Sequence, residues 1–214
     1  MTLRVLIVDD HEVARNGISD LLQAQGFSVA GSVSSGDEAL VHLDEDSNVD
    51  LVLLDIQMPK LDGLNVLQKF QAKHESVKVV VMSAYDNPTY IARAAALGAA
   101  DYLLKGVSYE KMHDALSCVA GGLDRPSESR LEKISNLMRQ EIDPKDLPPE
   151  LPLTGREAQV LRHMALGLSN KEIAKSLGIS VETAKEHVQN ILRKVGATDR
   201  TDAAVRAVKL GLAD

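Results

Sequence analysis

The chain of 214 residues contains no tryptophan, one cysteine and only 3% aromatic residues. A lone Cys118 excludes a disulfide within the chain and is typical of a protein from a reducing compartment. With so few aromatic rings, the hydrophobic cores must be built from aliphatic side chains, and a hydrophobic fraction of 44% is sufficient for that. These absences indicate an ordinary globular protein rather than a disulfide-stabilised one.

Long hydrophobic runs are also absent. Apolar stretches such as residues 51–54 and 79–82 are far shorter than a membrane-spanning helix requires. The apolar stretch at residues 3–8 is too short for a secretory leader, and two aspartates follow it directly. We therefore expect a soluble cytoplasmic protein that does not enter the membrane.

The net charge of −7 is unevenly distributed along the chain. Residues 150–214 carry 10 lysines and arginines against 8 acidic residues, whereas residues 1–149 carry 14 against 23. An acidic front part and a mildly basic tail suggest two parts with separate tasks. The small positive balance of the tail is by itself a weak signal for nucleic-acid binding.

Short β-branched runs alternate with segments of helical period in the first half of the chain. Such alternation predicts an α/β domain, with a doubly wound parallel sheet of five strands and helices on both faces. The predicted strands are residues 3–8, 29–32, 50–54, 77–82 and 101–104. Helices are expected between them and after the last strand, at residues 11–25, 35–43, 64–73, 88–97 and 109–120.

The character of the sequence changes after Gly121. Glycines and prolines punctuate a charged segment up to Pro152, and the recurrence of Leu131, Ile134, Leu137 and Met138 predicts a short amphipathic helix within it. After Pro152 no strand pattern remains, and about four short helices are expected. The predicted domains are residues 1–121, a partly helical linker at 122–150, and a small all-α domain at 151–214.

Acidic residues follow two of the predicted strands. Asp9 and Asp10 come after the first strand and Asp55 after the third, with Ser83 and Lys105 after the fourth and fifth. The carboxyl ends of parallel strands line the ligand crevice of an open sheet, so these side chains should converge. Clustered carboxylates need a cation, and Mg²⁺ suits few carboxylates plus a phosphate oxygen. The set suits phosphoryl transfer to a carboxylate, although solvated loop acids are the plainer alternative for any single pair.

These residues resemble the receiver domain of two-component response regulators. The resemblance spans residues 3–121 and rests on the Asp9-Asp10 pair, the segment Asp55-Ile-Gln-Met-Pro59 with Gly63, Ser83-Ala84 and Tyr102-Leu-Leu-Lys105. It implies that Asp55 accepts the phosphoryl group and that Mg²⁺ is held by Asp9, Asp10, Asp55 and the backbone carbonyl of Gln57.

The same resemblance assigns roles to the other strand-end residues. Ser83 and Lys105 would bind the phosphoryl group, and Tyr102 would be an aromatic switch that turns inward when Ser83 moves. Gln57 and Tyr85 would tune the lifetime of the aspartyl phosphate. Gly106 stands where many receivers have proline, so no cis peptide bond is expected there.

Two consecutive helices in the tail predict a helix-turn-helix. Residues 171–177 and 181–195 are separated by a turn at Gly178, with Gly196 ending the second helix. The second helix has an inward stripe of Ala184, Val188, Ile191 and Val195, and its opposite face carries Glu182, Lys185, Glu186, Gln189 and Arg193. From periodicity alone, a DNA-reading helix and a helical bundle with a solvated polar face remain equally open.

The tail also resembles the LuxR/NarL-type output domain over residues 151–212. The motifs that carry the resemblance are Leu153-Thr-Gly-Arg-Glu157, Gly167-Leu-Ser-Asn-Lys-Glu-Ile-Ala174, Leu177-Gly-Ile-Ser180 and Thr183-Ala-Lys185, with His187 and Ile191. It implies that Lys185, Glu186 and Gln189 face bases in the major groove. By hydrogen-bonding chemistry, lysine suits guanine, glutamine suits adenine and glutamate suits cytosine. Contacts to DNA phosphates are expected from Asn170, Lys171, Thr183, Lys194 and Arg200.

Two further features of the tail have a structural interpretation. His187 falls on the inward side of its helix, which predicts a core or backbone-bonded imidazole, and the six histidines have no metal-ligand spacing. The last helix, with Ala203, Val205, Ala207 and Val208, is predicted to form a dimer contact because an inverted-repeat site requires a two-fold protein.

Taken together, the resemblances imply a phosphorylation-dependent transcription factor of the NarL/FixJ type. Its partners would be a histidine kinase, double-stranded DNA with an inverted repeat, a second copy of the chain once phosphorylated, and the transcription machinery. No enzyme activity is expected beyond Mg²⁺-dependent self-phosphorylation and self-dephosphorylation at Asp55. The alternatives are a phosphatase with an aspartyl intermediate, whose acids are usually spaced differently, and a regulator whose receiver is idle.

Overall fold

The structure is a computed structural model that describes residues 2–58, 62–74, 76–123 and 129–213. The chain divides into two compact units, residues 1–86 with 97–132 and residues 87–96 with 133–214. The predicted α/β part followed by an all-helical part is confirmed. Pro59 of the receiver motif and residues 124–128 of the predicted linker lie outside the described residues.

The first unit contains a five-stranded, entirely parallel sheet. Its strand order is β2-β1-β3-β4-β5, so the direction of winding reverses between β1 and β3. A ligand crevice is expected outside the carboxyl ends of the strands at such a reversal. The strands are β1 (Arg4–Val8), β2 (Ser28–Val33), β3 (Leu51–Asp55), β4 (Lys78–Ser83) and β5 (Asp101–Leu104).

Alternating side chains of the central strands bury both faces of the sheet. Val5 and Ile7 pack in a cluster with Leu22 and Leu116. Leu6 and Val8, which alternate with them along β1, point to the opposite face and are also fully buried. The flanking helices are α1 (Glu12–Ala24), α2 (Gly36–Glu45), α3 (Gly63–Lys73), α4 (Pro88–Leu97) and α5 (Tyr109–Ala120). Of these, α1 and α5 supply buried residues to the first cluster, and α2 and α3 contact each other and the sheet.

The predicted amphipathic helix of the linker is confirmed as α6 (Arg130–Arg139). Leu131 and Met138 are buried on its apolar stripe. The guanidinium of Arg162 donates to the carbonyl oxygens of Leu137 at 2.7 Å and Gln140 at 3.0 Å, so it satisfies acceptors that the end of this helix leaves open. A 3₁₀ turn at Pro144–Asp146, which was not predicted, follows α6.

The second unit ends with the four predicted helices. They are α7 (Gly155–Ala165), α8 (Asn170–Leu177), α9 (Val181–Val195) and α10 (Arg200–Lys209). Thr154 with Glu157 and Ser169 with Glu172 form complete capping boxes at the starts of α7 and α8. Gly178, in left-handed conformation with φ of 63°, makes the turn between α8 and α9.

Helix α4 lies within the predicted receiver span, yet its contacts group it with the second unit. Ala92 and Ala96 are buried in the same cluster as Leu161, Ile173 and residues of α9. In addition, the Nε of Arg93 lies 2.8 Å from Oε1 of Glu172. Sequence periodicity assigns α4 to the α/β domain, but it does not identify which partner a helix packs against.

No helix among the described residues has the length and apolar character that a bilayer crossing requires. The described part also contains no cis peptide bond, in agreement with the expectation for the Lys105–Gly106 bond.

Candidate functional site

The predicted carboxylates converge at the carboxyl ends of β1 and β3. Asp9 directly follows β1, and Asp55 is the last residue of β3 rather than the first residue after it. Only 2% of the surface of each residue is exposed. The two residues therefore form the floor of a pocket at the strand reversal, where burial makes an uncompensated negative charge costly.

Lys105 supplies the compensating charge. Its Nζ lies 2.7 Å from Oδ2 of Asp9 and 2.8 Å from Oδ2 of Asp55. Burial raises the pKa of the Asp55 carboxyl group, and the hydrogen bonds from Lys105 and from the Gln57 N–H offset only part of that rise. Burial alone would lower the pKa of Lys105, but its bonds to Asp55 and Asp9 outweigh burial and raise it. Lys105 is therefore a fixed cation facing both carboxylates.

The backbone around Asp55 is held by the start of α3. The N–H of Gln57 donates to Oδ1 of Asp55 at 3.0 Å, and the N–H of Gly63 donates to the carbonyl of Ile56 at 3.1 Å. A Cβ atom at Gly63 would collide with the backbone of Asp55 and Ile56, so only glycine permits this approach. Gly63 was part of the motif, and the structure supplies the physical reason for it.

Ser83, Tyr85 and Tyr102 form a short chain of contacts beside the pocket. The Oγ of Ser83, a fully buried residue, accepts a hydrogen bond from the N–H of Tyr85 at 3.0 Å. The hydroxyl of Tyr102 donates to the carbonyl of Tyr85 at 2.9 Å. Tyr102 is 2% exposed and already points inward. The inward position expected for the Tyr102 ring is therefore already present in this structure.

Side-chain atoms that could bind a cation lie around the two buried carboxylates, Asp9 and Asp55. One ligand atom each from Asp9, Asp10, His11 and Asp55 all lie within 4.8 Å of one another. Oδ1 of Asp10 is buried and has no hydrogen-bond partner. A buried carboxylate oxygen that accepts no hydrogen bond can be satisfied by a bound cation, and the nearest cationic group is the His11 imidazole, whose Nδ1 lies 3.0 Å away. The predicted ligands Asp9, Asp10 and Asp55 are therefore brought together, and His11, which was not predicted, joins them.

The polar face of α9 is open to solvent. Ala184, Val188, Ile191 and Val195 are buried as the predicted inward stripe. The predicted base-facing residues Lys185, Glu186 and Gln189 are exposed on the opposite side. Lys185 makes a long ion pair with Glu182 at 3.7 Å, and both side chains are more than half exposed, so this pair holds Lys185 only weakly.

The predicted phosphate-contacting residues differ in how they are held. Lys171 is exposed, and the Thr183 hydroxyl lies 3.0 Å from that of Ser180. Arg200 donates to Oδ1 of Asn170 at 2.9 Å and also to the Leu168 carbonyl. Lys194 lies 2.7 Å from Oε2 of the buried Glu157, which lowers the pKa of that carboxyl group against the effect of burial.

The prediction for the last helix needs a correction. Ala203 and Ala207 cannot form a dimer contact because both are fully buried in the core of their own unit. Val205 and Val208, three residues apart, are 47% and 48% exposed. These two valines therefore remain as the apolar surface of α10.

The fully buried histidine of the helical unit is His163, for which no role was predicted. Its Nδ1 donates to the Gln159 carbonyl at 2.7 Å, so its Nε2 accepts from the Ser176 hydroxyl at 2.9 Å. Burial lowers the pKa of this imidazole. His187, in contrast, is only half-buried. A histidine is compatible with either face of a helix. The sequence pattern therefore did not indicate that His163 is the buried one, with hydrogen bonds to Gln159 and Ser176.

Comparisons with known proteins identify both parts of the chain. The family described as "Response regulator receiver domain" matches residues 5–117, and "Bacterial regulatory proteins, luxR family" matches residues 151–207. The transcriptional regulatory protein DegU of Brevibacillus brevis is 33% identical over an alignment of 223 positions that covers 98% of this chain and 94% of that protein. The response regulator VraR of Staphylococcus aureus is 34% identical over 213 residues, covering 99% of both.

A solved structure is similar over the whole length. The response regulator ChrA from a heme-sensing two-component system is 28% identical, with a TM-score of 0.53, and the match covers 99% of this chain and 98% of that one. The acidic pocket at the strand ends thus belongs to the receiver domain, and the open helix face belongs to the LuxR-type domain. The chain is a member of the two-component response regulators of the NarL/FixJ family, with a receiver domain and a LuxR-type helix-turn-helix output domain, and it is a transcription regulator.

Proposed function

We infer that Asp55 accepts a phosphoryl group from a histidine kinase and that this modification promotes dimerisation and binding to an inverted-repeat DNA site. The observation that carries the proposal is the geometry of Asp55, a buried carboxylate whose Oδ2 lies 2.8 Å from the Lys105 ammonium, beside Asp9. A carboxylate nucleophile next to a fixed cation suits phosphoryl transfer, in which positioning and charge neutralisation supply most of the catalysis.

In the proposed reaction a carboxylate oxygen of Asp55 attacks the phosphorus atom of the donor. A new O–P bond forms while the bond from phosphorus to the imidazole nitrogen of the kinase breaks, and the leaving imidazole takes up a proton. Lys105 balances negative charge on the phosphoryl oxygens. In self-dephosphorylation, water attacks the same phosphorus atom next to Gln57 and Tyr85. The bond between phosphorus and the Asp55 oxygen breaks, inorganic phosphate leaves with the protons of the water, and the carboxylate is regenerated. Both steps are intrinsic to the receiver, and no other enzyme activity is proposed.

The pocket fits the Mg²⁺ that the receiver family implies. Asp9, Asp10 and Asp55 offer carboxylate oxygens within reach of one ion, and Oδ1 of Asp10 is buried without a hydrogen-bond partner. The backbone carbonyl of Gln57 is the proposed fourth ligand. Bound there, Mg²⁺ would neutralise charge on the transferred phosphoryl group.

The Ser83 hydroxyl is the proposed sensor of the phosphoryl group. In the structure Ser83 Oγ accepts from the Tyr85 N–H, and Tyr85 in turn accepts from Tyr102 through its carbonyl. When the Ser83 side chain moves to donate to a phosphoryl oxygen, its Oγ leaves the Tyr85 N–H, and the Tyr85 backbone is free to shift. Helix α4 begins three residues later and packs in the core of the second unit through Ala92 and Ala96.

The output is proposed to be DNA binding by the helix-turn-helix. Lys185, Glu186 and Gln189 would contact base edges, and Asn170, Lys171, Thr183, Lys194 and Arg200 would contact phosphates. Val205 and Val208 of α10 would meet their counterparts in a second copy, which suits a two-fold site. The protein would act in the cytoplasm and would signal to the transcription machinery from the bound site.

Phosphorylation by a small donor tests the receiver part directly. Native protein incubated with acetyl phosphate and Mg²⁺ should gain the mass of one phosphoryl group, located on Asp55 after proteolysis. The Asp55→Asn variant should gain none, whereas Asp20→Asn, an exposed aspartate on α1, should be modified like native protein. Modification of Asp55→Asn to the native level would rule out Asp55 as the acceptor. Chelation of Mg²⁺ should abolish the reaction.

A further inference from the structure

Helix α6 is shared by the two compact units, which divide after Glu132. Its first turn belongs to the unit that contains the acidic pocket, and its remainder belongs to the unit that contains the helix-turn-helix. Within the second unit, the Arg162 guanidinium holds the carbonyls of Leu137 and Gln140 at the far end of the helix. The proposed function gives no role to the contacts of the first turn.

Ser129, the residue before α6, makes two hydrogen bonds. Its Oγ accepts from the Glu132 N–H at 3.3 Å, and this bond caps the helix. Its hydroxyl also donates to Oδ1 of Asp101 on β5 at 2.7 Å, which capping does not require. Asp101 is 3% exposed, and a buried carboxylate is costly unless donors such as this hydroxyl meet it. The start of α6 is therefore tied to β5.

A second bond ties the same turn to the loop after β4. The Nε of Arg130 lies 2.9 Å from Oδ2 of Asp86, and the two side chains are 41% and 55% exposed. An exposed ion pair contributes less than a hydrogen bond to a buried carboxylate, so the Ser129 bond is the stronger of the two. We call the Ser129–Asp101 and Arg130–Asp86 bonds the linker contacts.

Both linker contacts end beside the residues of the proposed switch. Asp86 directly follows Tyr85, and Asp101 directly precedes Tyr102. Oδ1 of Asp101 also accepts from the Tyr102 N–H at 2.8 Å, and the Tyr102 hydroxyl donates to the Tyr85 carbonyl. A shift of the Tyr85 backbone thus displaces Asp86 and removes the acceptor of the Tyr102 hydroxyl. A hydrogen bond is lost when its atoms separate by about 1 Å, so a small shift is enough to release α6.

We propose that the linker contacts hold α6, and with it the helix-turn-helix, in the weakly DNA-binding state, and that phosphorylation of Asp55 breaks them by shifting Tyr85. The proposal rests on the proposed function because it names the route by which the receiver acts on the output domain. Contacts made in only one of two states favour that state. Removing them therefore favours the DNA-binding state without phosphorylation. Ser129 acts through α6 and is a positioning residue.

The affinity of unphosphorylated full-length protein for the selected DNA site at fixed salt tests the proposal. Ser129→Ala, which removes the donor to Asp101, should bind about tenfold more tightly than native protein, because a hydrogen bond to a charged group contributes a factor of this order. Arg130→Ala should gain less than about fivefold. After phosphorylation, both variants should bind as tightly as phosphorylated native protein, since the linker contacts are then already broken. Ser35→Ala, which removes a serine cap with the same 3.3 Å bond from α2, is the matched control and should bind like native protein.

Ser129→Asp separates the contact with Asp101 from helix capping. Aspartate caps a helix about as well as serine does, but its ionised side chain donates no hydrogen bond and repels the Asp101 carboxylate. This variant should therefore raise the affinity of the unphosphorylated protein at least as much as Ser129→Ala does. A gain in Ser129→Ala that is absent from Ser129→Asp would overturn the proposal, because loss of the cap would then be the cause.

Native affinity in both Ser129 variants, or an equal gain in Ser35→Ala, would equally contradict the proposal. Native protein measured before and after incubation with acetyl phosphate and Mg²⁺ separates this failure from failure of the proposed function. If phosphorylation tightens DNA binding by native protein while the unphosphorylated Ser129 variants match native protein, only the role of the linker contacts is contradicted. If phosphorylation leaves the native affinity unchanged while the Ser129 variants bind more tightly, only the proposed control by phosphorylation is contradicted.

Discussion

Replacing Lys105 with alanine should slow phosphorylation of Asp55 by acetyl phosphate by about a hundredfold or more. The ammonium group lies 2.8 Å from Oδ2 of Asp55 and 2.7 Å from Oδ2 of Asp9. Its loss leaves two buried carboxylates facing each other. The pKa of Asp55 should rise further, because in native protein Lys105 offsets part of the rise that burial causes. It also removes a positioned cation from the phosphoryl oxygens, and losing one such group costs roughly 10²–10³ in rate.

The rate is measured by mass spectrometry of quenched samples at a fixed concentration of Mg²⁺. Lys111→Ala, an exposed lysine on α5, is the matched control for loss of one positive charge and should react at the native rate. Lys105→Arg keeps the charge in a different shape and should recover part of the rate. A native rate in Lys105→Ala would mean that this contact has no part in phosphoryl transfer.

Replacing Lys185 with alanine should abolish most of the preference for the selected DNA site. Lys185 is exposed on the open face of α9, and its ion pair with Glu182 is long and solvated, so little holds it back from DNA. A good contact between a base and a side chain contributes about 1–3 kcal/mol of discrimination against the wrong base. The affinity for the specific site should therefore fall by roughly 5- to 150-fold, while the affinity for unrelated DNA changes little.

The DNA site is first selected with phosphorylated native protein from a random library, and binding is then measured at several salt concentrations. Lys171→Ala is the matched control, because Lys171 is an exposed lysine of α8 with a proposed contact to phosphate. Its loss should weaken binding to all sequences and reduce the salt slope by about one. If Lys185→Ala weakens specific and unrelated DNA equally, Lys185 is a phosphate contact rather than a base contact.

The acidic pocket was predictable from the sequence because its charged side chains lie at the carboxyl ends of the strands. Alternating strands and helices imply a parallel sheet, and residues at the carboxyl ends of its strands meet at one edge. Asp9, Asp55 and Lys105 were therefore expected to lie together, and in the structure they do. Asp55 was expected just after β3 but is its last residue, and burial continues up to the carboxylate. The inward stripe of α9 followed from helical period for the same reason.

Which residues a given side chain contacts was not predictable in the same way. Periodicity assigns a residue to a face, but it does not reveal what else packs on that face. Ala203 and Ala207 were therefore assigned to a dimer surface, although they belong to the core. His163 was overlooked because its two hydrogen-bond partners, Gln159 and Ser176, lie on different helices. The nearness of His11 to Asp10 also depends on side-chain orientation, which sequence spacing does not fix.

The central claim is that phosphorylation of Asp55 controls DNA binding. The most direct measurement is the affinity of full-length native and Asp55→Asn protein for the selected inverted-repeat site at fixed salt, before and after incubation with acetyl phosphate and Mg²⁺. Native protein should bind more tightly after incubation, and as a dimer, whereas Asp55→Asn should bind identically before and after. An unchanged affinity in phosphorylated native protein, or an equal gain in Asp55→Asn, would contradict the claim.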